Sequence, residues 1–355
     1  VRRIARAVFT FDNPPVIAGC AAAVGKKEGE GPLGNCFDRV FEDNLLGEET
    51  WEKAESRLVT EAVSACLEKT SLTADDVDVI FTGDLLNQCI ASTFGLRAMG
   101  VPHVGMYGAC STMASSLISA AVYTESGAAQ RSIAVTSSHF SSSERQFRTP
   151  LQYGGQRTPT AQWTVTGSGA IVLEASGEAE ENSLSPCAGT QSDAKVCIHS
   201  ASIGTIEDLG VTDPCNMGAA MAPAAARTII RHLTALHAAP EDYDLILTGD
   251  LGFVGSELLC ELLLRENIDI SKQHNDGGMM IYHRKEQDVH AGGSGCGCSA
   301  SVLCGHVLPR MMQGELMRVL FVATGALMSP TSSFQGESIP GVAHALELQY
   351  RFMPQ

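Results

Sequence analysis

Two stretches of the chain share one order of polar and apolar positions. Asp76-Val77-Asp78-Val79-Ile80-Phe81-Thr82-Gly83-Asp84-Leu85 recurs 166 residues on as Asp242-Tyr243-Asp244-Leu245-Ile246-Leu247-Thr248-Gly249-Asp250-Leu251. Each copy reads as an acidic turn, a buried strand and a Gly-Asp turn, because a short apolar run between turn residues suits a strand covered on both faces. A helix precedes each copy. The first is predicted over Thr50 to Lys69, with Thr50 at its N-cap and an apolar stripe through Ala54, Leu58, Ala62 and Cys66; the second runs from about Ala224 to His237.

The likeness continues downstream. Gly108-Ala109-Cys110 opens a small-residue helix to about Ser126, followed by Gly127 and a strand at Ser132 to Thr136. Gly295-Cys296-Gly297-Cys298 opens a helix to about Gln313, followed by Gly314 and a strand at Val319 to Ala323. Here Ala114-Ser115 matches Ala300-Ser301, so the spacing has grown from 166 to 186 residues, which places an insertion within Ile268 to Gly293. The shared order helix, strand, helix, strand predicts an internally duplicated α/β fold. Its halves are residues 1–175 and 192–355, joined by the acidic, Ser-rich stretch 176–191.

Composition narrows the function classes. Over 355 residues, 44% are hydrophobic and 18% charged, a core-rich balance that excludes disorder. Lys and Arg number 24 against 40 Asp and Glu, a net charge of −16, which argues against nucleic-acid binding. An anionic ligand needs a local positive pocket against that background. Twelve scattered cysteines in a long chain suit reduced, buried thiols better than a disulfide framework. No run is long enough to span a membrane. Arg2, Arg3 and Arg6 precede apolar residues, and Val16 to Cys20 looks like a lipid-attachment box. Asp12-Asn13-Pro14-Pro15 breaks the apolar stretch a signal peptide needs, so Val16 to Ala22 is predicted as a first core strand.

Candidate chemistry starts at Cys110. A thiol at the N-terminus of a buried helix meets the positive end of the helix dipole, which favours thiolate. Gly108-Ala109 permits a sharp turn, and the small residues after Cys110 let the helix pack deep. That is the setting of a nucleophile in acyl transfer.

These features carry a resemblance. The duplicated halves and the Gly-Ala-Cys-Ser loop resemble the thiolase and ketoacyl-synthase superfamily. Within it the chain resembles the stage V sporulation protein AD family, through Gly29 to Gly34, Thr82 to Gln88, Ser143 to Arg148, Thr158 to Gly167 and Gly292 to Ala300. The resemblance implies a thiolase-like fold in five αβαβα layers, a homodimer and a sporulation role. It further implies binding of dipicolinic acid, with Ca2+ accompanying it, as a component of the spore's uptake machinery. No other cofactor and no protein metal site is implied. Its partners would be the membrane proteins encoded with it in the stage V sporulation A operon. Its place would be the forespore, peripheral at the inner membrane. The dimer edge is expected at Ser132 to Ser137, a strand short of charge.

Departures from the superfamily put catalysis in doubt. Gly305-His306-Val307 stands where thiolases have Gly-His-Pro, so His306 matches the family's histidine and a Cys110–His306 dyad is conceivable. Cys296 replaces the family's asparagine. The loop Gly249 to Phe253 has neither histidine nor asparagine, and Thr324-Gly325 lacks the second thiolase cysteine. Two functions therefore stand side by side: a dipicolinate-binding protein, and an acyltransferase using a cysteine nucleophile. The binding residues implied are Cys110, His139, Arg148, Cys296 and His306. Arg145, Arg148 and Arg157 cluster within thirteen positions, and guanidinium forks match a planar dicarboxylate. Trp163 and Phe147 offer rings for stacking or for the core. Cys296, Cys298, Cys304 and His306 are a poor version of a zinc cluster, because the paired knuckle spacing is missing. His232 and His237 have no shared helical face.

Overall fold

The computed structural model describes residues 1–147, 157–176 and 194–352. Arg148 and most of the stretch between the halves lie outside the described residues. Ten strands form two five-stranded arrays of identical topology. In the first half these are β1 (Val16–Val24), β2 (Val79–Gly83), β3 (His103–Gly105), β4 (Arg131–Ser138) and β5 (Gly167–Glu174). In the second they are β6 (Ala194–Ser202), β7 (Leu245–Thr248), β8 (His274–Asp276), β9 (Arg318–Ala326) and β10 (Gly341–Phe352). The spatial orders are β3-β2-β4-β5-β1 and β8-β7-β9-β10-β6, and the arrays meet where β1 touches β6 at Val16 and Cys197.

The repeat holds down to hydrogen bonds. Asp78 Oδ2 accepts from the N–H groups of Gln130 and Arg131, and Asp244 Oδ2 accepts from those of Met317 and Arg318. Each acidic turn thus pins the start of the neighbouring strand. Even the bulges repeat, between Ile17 and Gly19 on β1 and between Ile198 and Ser200 on β6.

Helices supply the outer and middle layers. On one outer face lie α1 (Trp51–Thr70) and α2 (Ile90–Leu96). Thr50 caps α1 by accepting from Lys53 N–H, Ser71 ends it in the left-handed conformation, and the predicted stripe is fully buried. The middle layer holds α3 (Thr112–Glu125), which packs against both arrays, and α7 (Cys296–Val302), which continues through a π-helical turn, Leu303–Val307, into Leu308–Met312. A short α4 (Phe140–Phe147) follows β4. The far outer face carries α5 (Met217–Leu236) and α6 (Gly252–Arg265). Five layers result, as the resemblance implied.

Two expectations need correction. The second outer helix begins at Met217, not near Ala224: Met217 and Ala219 to Ala222 are good helix formers, and Pro223 is carried inside the helix rather than starting it. Ser132 to Ser137 is not an edge. β4 lies between β2 and β5, under α1 on one face and α3 on the other, so its lack of charge reflects burial on both sides. The first-half edge is β3, whose three residues are exposed. Among the described residues, no helix is long and apolar enough to cross a membrane.

Candidate functional site at the paired helix starts

The starts of α3 and α7 meet at the centre of the molecule. On the α3 side, Gly108 O accepts from both the N–H and the hydroxyl of Ser111, Thr112 Oγ1 donates to Ala109 O at 2.6 Å, and Ala109 takes the left-handed φ of 50°. On the α7 side, Gly295 takes φ 107° and its N–H donates to Asp250 Oδ2 at 2.8 Å. Asp250 Oδ1 accepts from Thr324 Oγ1 at 2.9 Å, which ties the end of β9 into the same knot. Cys110 and Cys296, at corresponding places in the repeat, pack together with Leu85 and Phe147.

Cys110 lines a narrow cleft of about 50 Å³ that opens past Tyr107, Phe147, Thr164, Met217 and Met328. Its surroundings do not favour thiolate. Burial raises its pKa well above the ordinary thiol value, and the neighbouring Asp250 carboxyl and Cys296 push it the same way, against a weaker bond from the Gly295 N–H. The helix-start argument therefore fails here: a dipole contribution of about 0.3–1 kcal/mol is outweighed by desolvation and an adjacent acid. Cys296 is sealed off, with its thiol donating to Ser137 O at 2.9 Å, and burial raises its pKa too.

Carboxyls surround the thiols. Burial lifts Asp250 to about 7, so near neutral pH it is divided between acid and carboxylate. Glu55 is raised by burial and by its neighbour Asp84; it accepts from the hydroxyls of Ser137 (3.2 Å) and Ser142 (2.6 Å). Asp84 accepts from Leu86 N–H and from the N–H and hydroxyl of Ser92, and burial raises it also. The sequence reading missed these acids as a group. Two signals were present: the repeated Thr-Gly-Asp after each strand, and Glu55 spaced three, four and seven residues before Leu58, Val59 and Ala62, inside the buried stripe.

The remaining candidates lie elsewhere. His139 is buried, its Nε2 2.7 Å from Asn44 O and its Nδ1 accepting from Ser141 N–H, and burial lowers its pKa. It fastens the loop before α1 to the end of β4. His306 lies ten residues beyond Cys296, about 15 Å along the helix. Its Nδ1 is 3.8 Å from Cys36 Sγ, so the structure does not bring it to Cys110 and the imagined dyad is not assembled. The cysteines around it diverge: Cys298 points to Gly249 O, and Cys304 O accepts from the Cys20 thiol. Among the described residues no three His, Cys, Asp or Glu side chains converge as metal ligands. Arg145 pairs with Glu52, and Arg157 pairs with Asp288 rather than entering the cleft. Gly325 stands where a second cysteine would be, and a Cβ there would overlap the Gly108 carbonyl oxygen beneath Cys110.

Comparisons with known proteins bear on the fold and the family. The family model described as stage V sporulation protein AD matches residues 5–349. Stage V sporulation protein AD of Bacillus subtilis (strain 168) is 43% identical over 338 residues, covering 95% of each chain. Among solved structures, 3-oxoacyl-[acyl-carrier-protein] synthase III from Aquifex aeolicus VF5 superposes with a TM-score of 0.58 at 15% identity, over 95% of this chain and all of that one. Cerulenin-bound OleA of Xanthomonas campestris gives 0.59 at 15% identity, over 98% of this chain and 99% of that one. The solved structures speak for the fold alone. The near-complete family match and the Bacillus relative speak for more: the chain belongs to the stage V sporulation protein AD family and is a sporulation protein of thiolase-like fold.

Proposed function

We propose that the protein binds dipicolinate in the cleft at Cys110 and serves its uptake into the spore. The observation that supports this reading is a deep, mostly apolar cleft ending on a thiol held neutral beside a carboxyl that can carry a proton. A neutral thiol with no imidazole in contact is poorly equipped to attack a thioester. A protonated Asp250 could donate a hydrogen bond toward a ligand carboxylate, and the cleft's apolar walls suit an aromatic ring. Ca2+ would enter as the ligand's own counter-ion. Docking on the operon's membrane proteins would hold the subunit at the forespore inner membrane, and two copies would pair as a homodimer.

Titration calorimetry with dipicolinate, picolinate and acetyl-coenzyme A tests the reading. Saturable heat with dipicolinate, weaker heat with picolinate and no covalent adduct by mass spectrometry are expected. Acylation of the protein by the thioester, with no heat from dipicolinate, would restore the acyltransferase.

A further inference from the structure

Away from the cleft, cations gather around Trp163 on a chain that is otherwise strongly acidic. Trp163 sits on the short strand Trp163–Thr164, which pairs with Gly293–Ser294. One face of its ring is stacked on Phe140, with centroids 3.9 Å apart and planes within 3°. The other face therefore receives the cations: Lys27 Nζ lies 4.0 Å and Arg157 Cζ 4.8 Å from the ring centroid. Two positive side chains are thus forced together, and Lys27 is disfavoured as a cation first by burial and then by Arg157.

The local carboxylates do not balance this charge. Asp288 pairs with Arg157 Nη2 at 2.9 Å and faces His290 Nε2 at 3.1 Å, so one acid is shared between two bases. Glu28, next in sequence to Lys27, turns inward onto the Tyr282 hydroxyl and Thr166 N–H, and burial favours its uncharged form. The Lys27 ammonium donates to a neutral carbonyl, Gln287 O at 2.6 Å, and Arg284 Nε donates to His290 O at 2.8 Å. Among the described residues Lys27, Arg284 and Lys285 have no ion-pair partner. Arg157 Nη1 is buried and, among the described residues, has no hydrogen-bond acceptor. Such an orphan donor is costly unless something accepts from it. Asp288, the partner of Arg157, is also on the wall of a groove of about 440 Å³ lined by Pro159, Arg284, Lys285 and His290.

We infer that this cluster is a second ligand site, distinct from the Cys110 cleft, which binds a small dianion between Arg157, Lys27 and Lys285. The chemistry fits a phosphoryl group or a dicarboxylate, since both offer an acceptor oxygen to the open Nη1 of Arg157 and negative charge to the lysines. It also places a reporter in the site. The chain has two tryptophans, and Trp51 lies apart beside Arg145.

In the Trp51→Phe protein, Trp163 fluorescence is followed while inorganic phosphate or malonate is added, with chloride at matched ionic strength as control. A saturable change with phosphate or malonate is expected; saturation by one and not the other says which class the site takes. Arg157→Gln should weaken binding at least about tenfold, as loss of a charged hydrogen-bond partner implies. Lys285→Gln, on the surface and safe for folding, should weaken it several-fold. Cys110→Phe, which fills the cleft without adding a second tryptophan, should leave this response intact, so failure of the dipicolinate reading and failure of this site are separable. A signal that follows ionic strength alone, or unchanged affinity in folded Arg157→Gln and Lys285→Gln, overturns the proposal.

Discussion

At the level of single residues, Cys110 lines the cleft and Asp250 sits beside its thiol. If the thiol only lines the cleft, Cys110→Ser should alter dipicolinate affinity by less than about tenfold, because a hydroxyl replaces a weak donor of similar size. Cys110→Trp should abolish binding by filling the space. Calorimetry on both variants, with spore dipicolinate content as the cellular readout, decides; loss of binding in Cys110→Ser would point back to a covalent role. Asp250 sets a pH dependence. Its pKa lies near 7 in the folded protein against an ordinary 3.8, so the folded state keeps this proton longer than the unfolded chain. The contribution is complete below about pH 4 and is lost as pH rises through 7. Asp250→Asn removes that slope. Between pH 4 and 8 the wild-type should lose stability relative to the variant by an amount on the order of 4 kcal/mol, read from urea unfolding at the two ends. Equal slopes would mean that Asp250 titrates near its ordinary value.

The elements show which parts of this were written openly in the chain. Helix α1 was legible because a cap and a 3.6-residue stripe agree, and the duplication was legible because Asp78 and Asp244 do the same backbone work. Cys110 was legible as a helix-start residue, but not its protonation, which is set first by burial and then by Asp250 from the other half. His306 misled for a geometric reason: a matching offset from a glycine loop says nothing about ten residues of helical rise. Gly325 shows the reverse, a residue whose meaning appears only in three dimensions. At the end of β9 it lets the Gly108 carbonyl approach, so the cysteine expected there by resemblance has no room. Gly325→Cys should therefore destabilise the fold by about 1–3 kcal/mol through overpacking rather than restore a catalytic pair. Chemical unfolding together with iodoacetamide reactivity tests this; a stable variant with a new fast-reacting thiol would contradict it.

For the whole molecule, the exposed edge of β3 is the surface to explain. Val104 on that edge is exposed, and so are Tyr107 shortly after it and Ile90 and Phe94 on α2, apolar side chains on the half that also carries unpaired strand backbone. Pairing of two copies through β3 would cover both. Light scattering at micromolar concentration should give twice the chain mass, and Phe94→Glu should halve it; a wild-type monomer would leave this edge without its proposed cover. The way the two halves share strands has a different consequence. Strand β6 meets β1 through one residue pair, whereas Val8–Thr10, from the hairpin with Arg2–Ala5, runs along it at Ser202, Ala201 and Ser200. A segment near residue 10 thus finishes the sheet near residue 200. As the chain leaves the ribosome, the edge of that segment turned away from Arg2–Ala5 must stay unpaired until roughly 190 further residues have been made. The two halves repeat one another in form, yet neither is complete until the other exists.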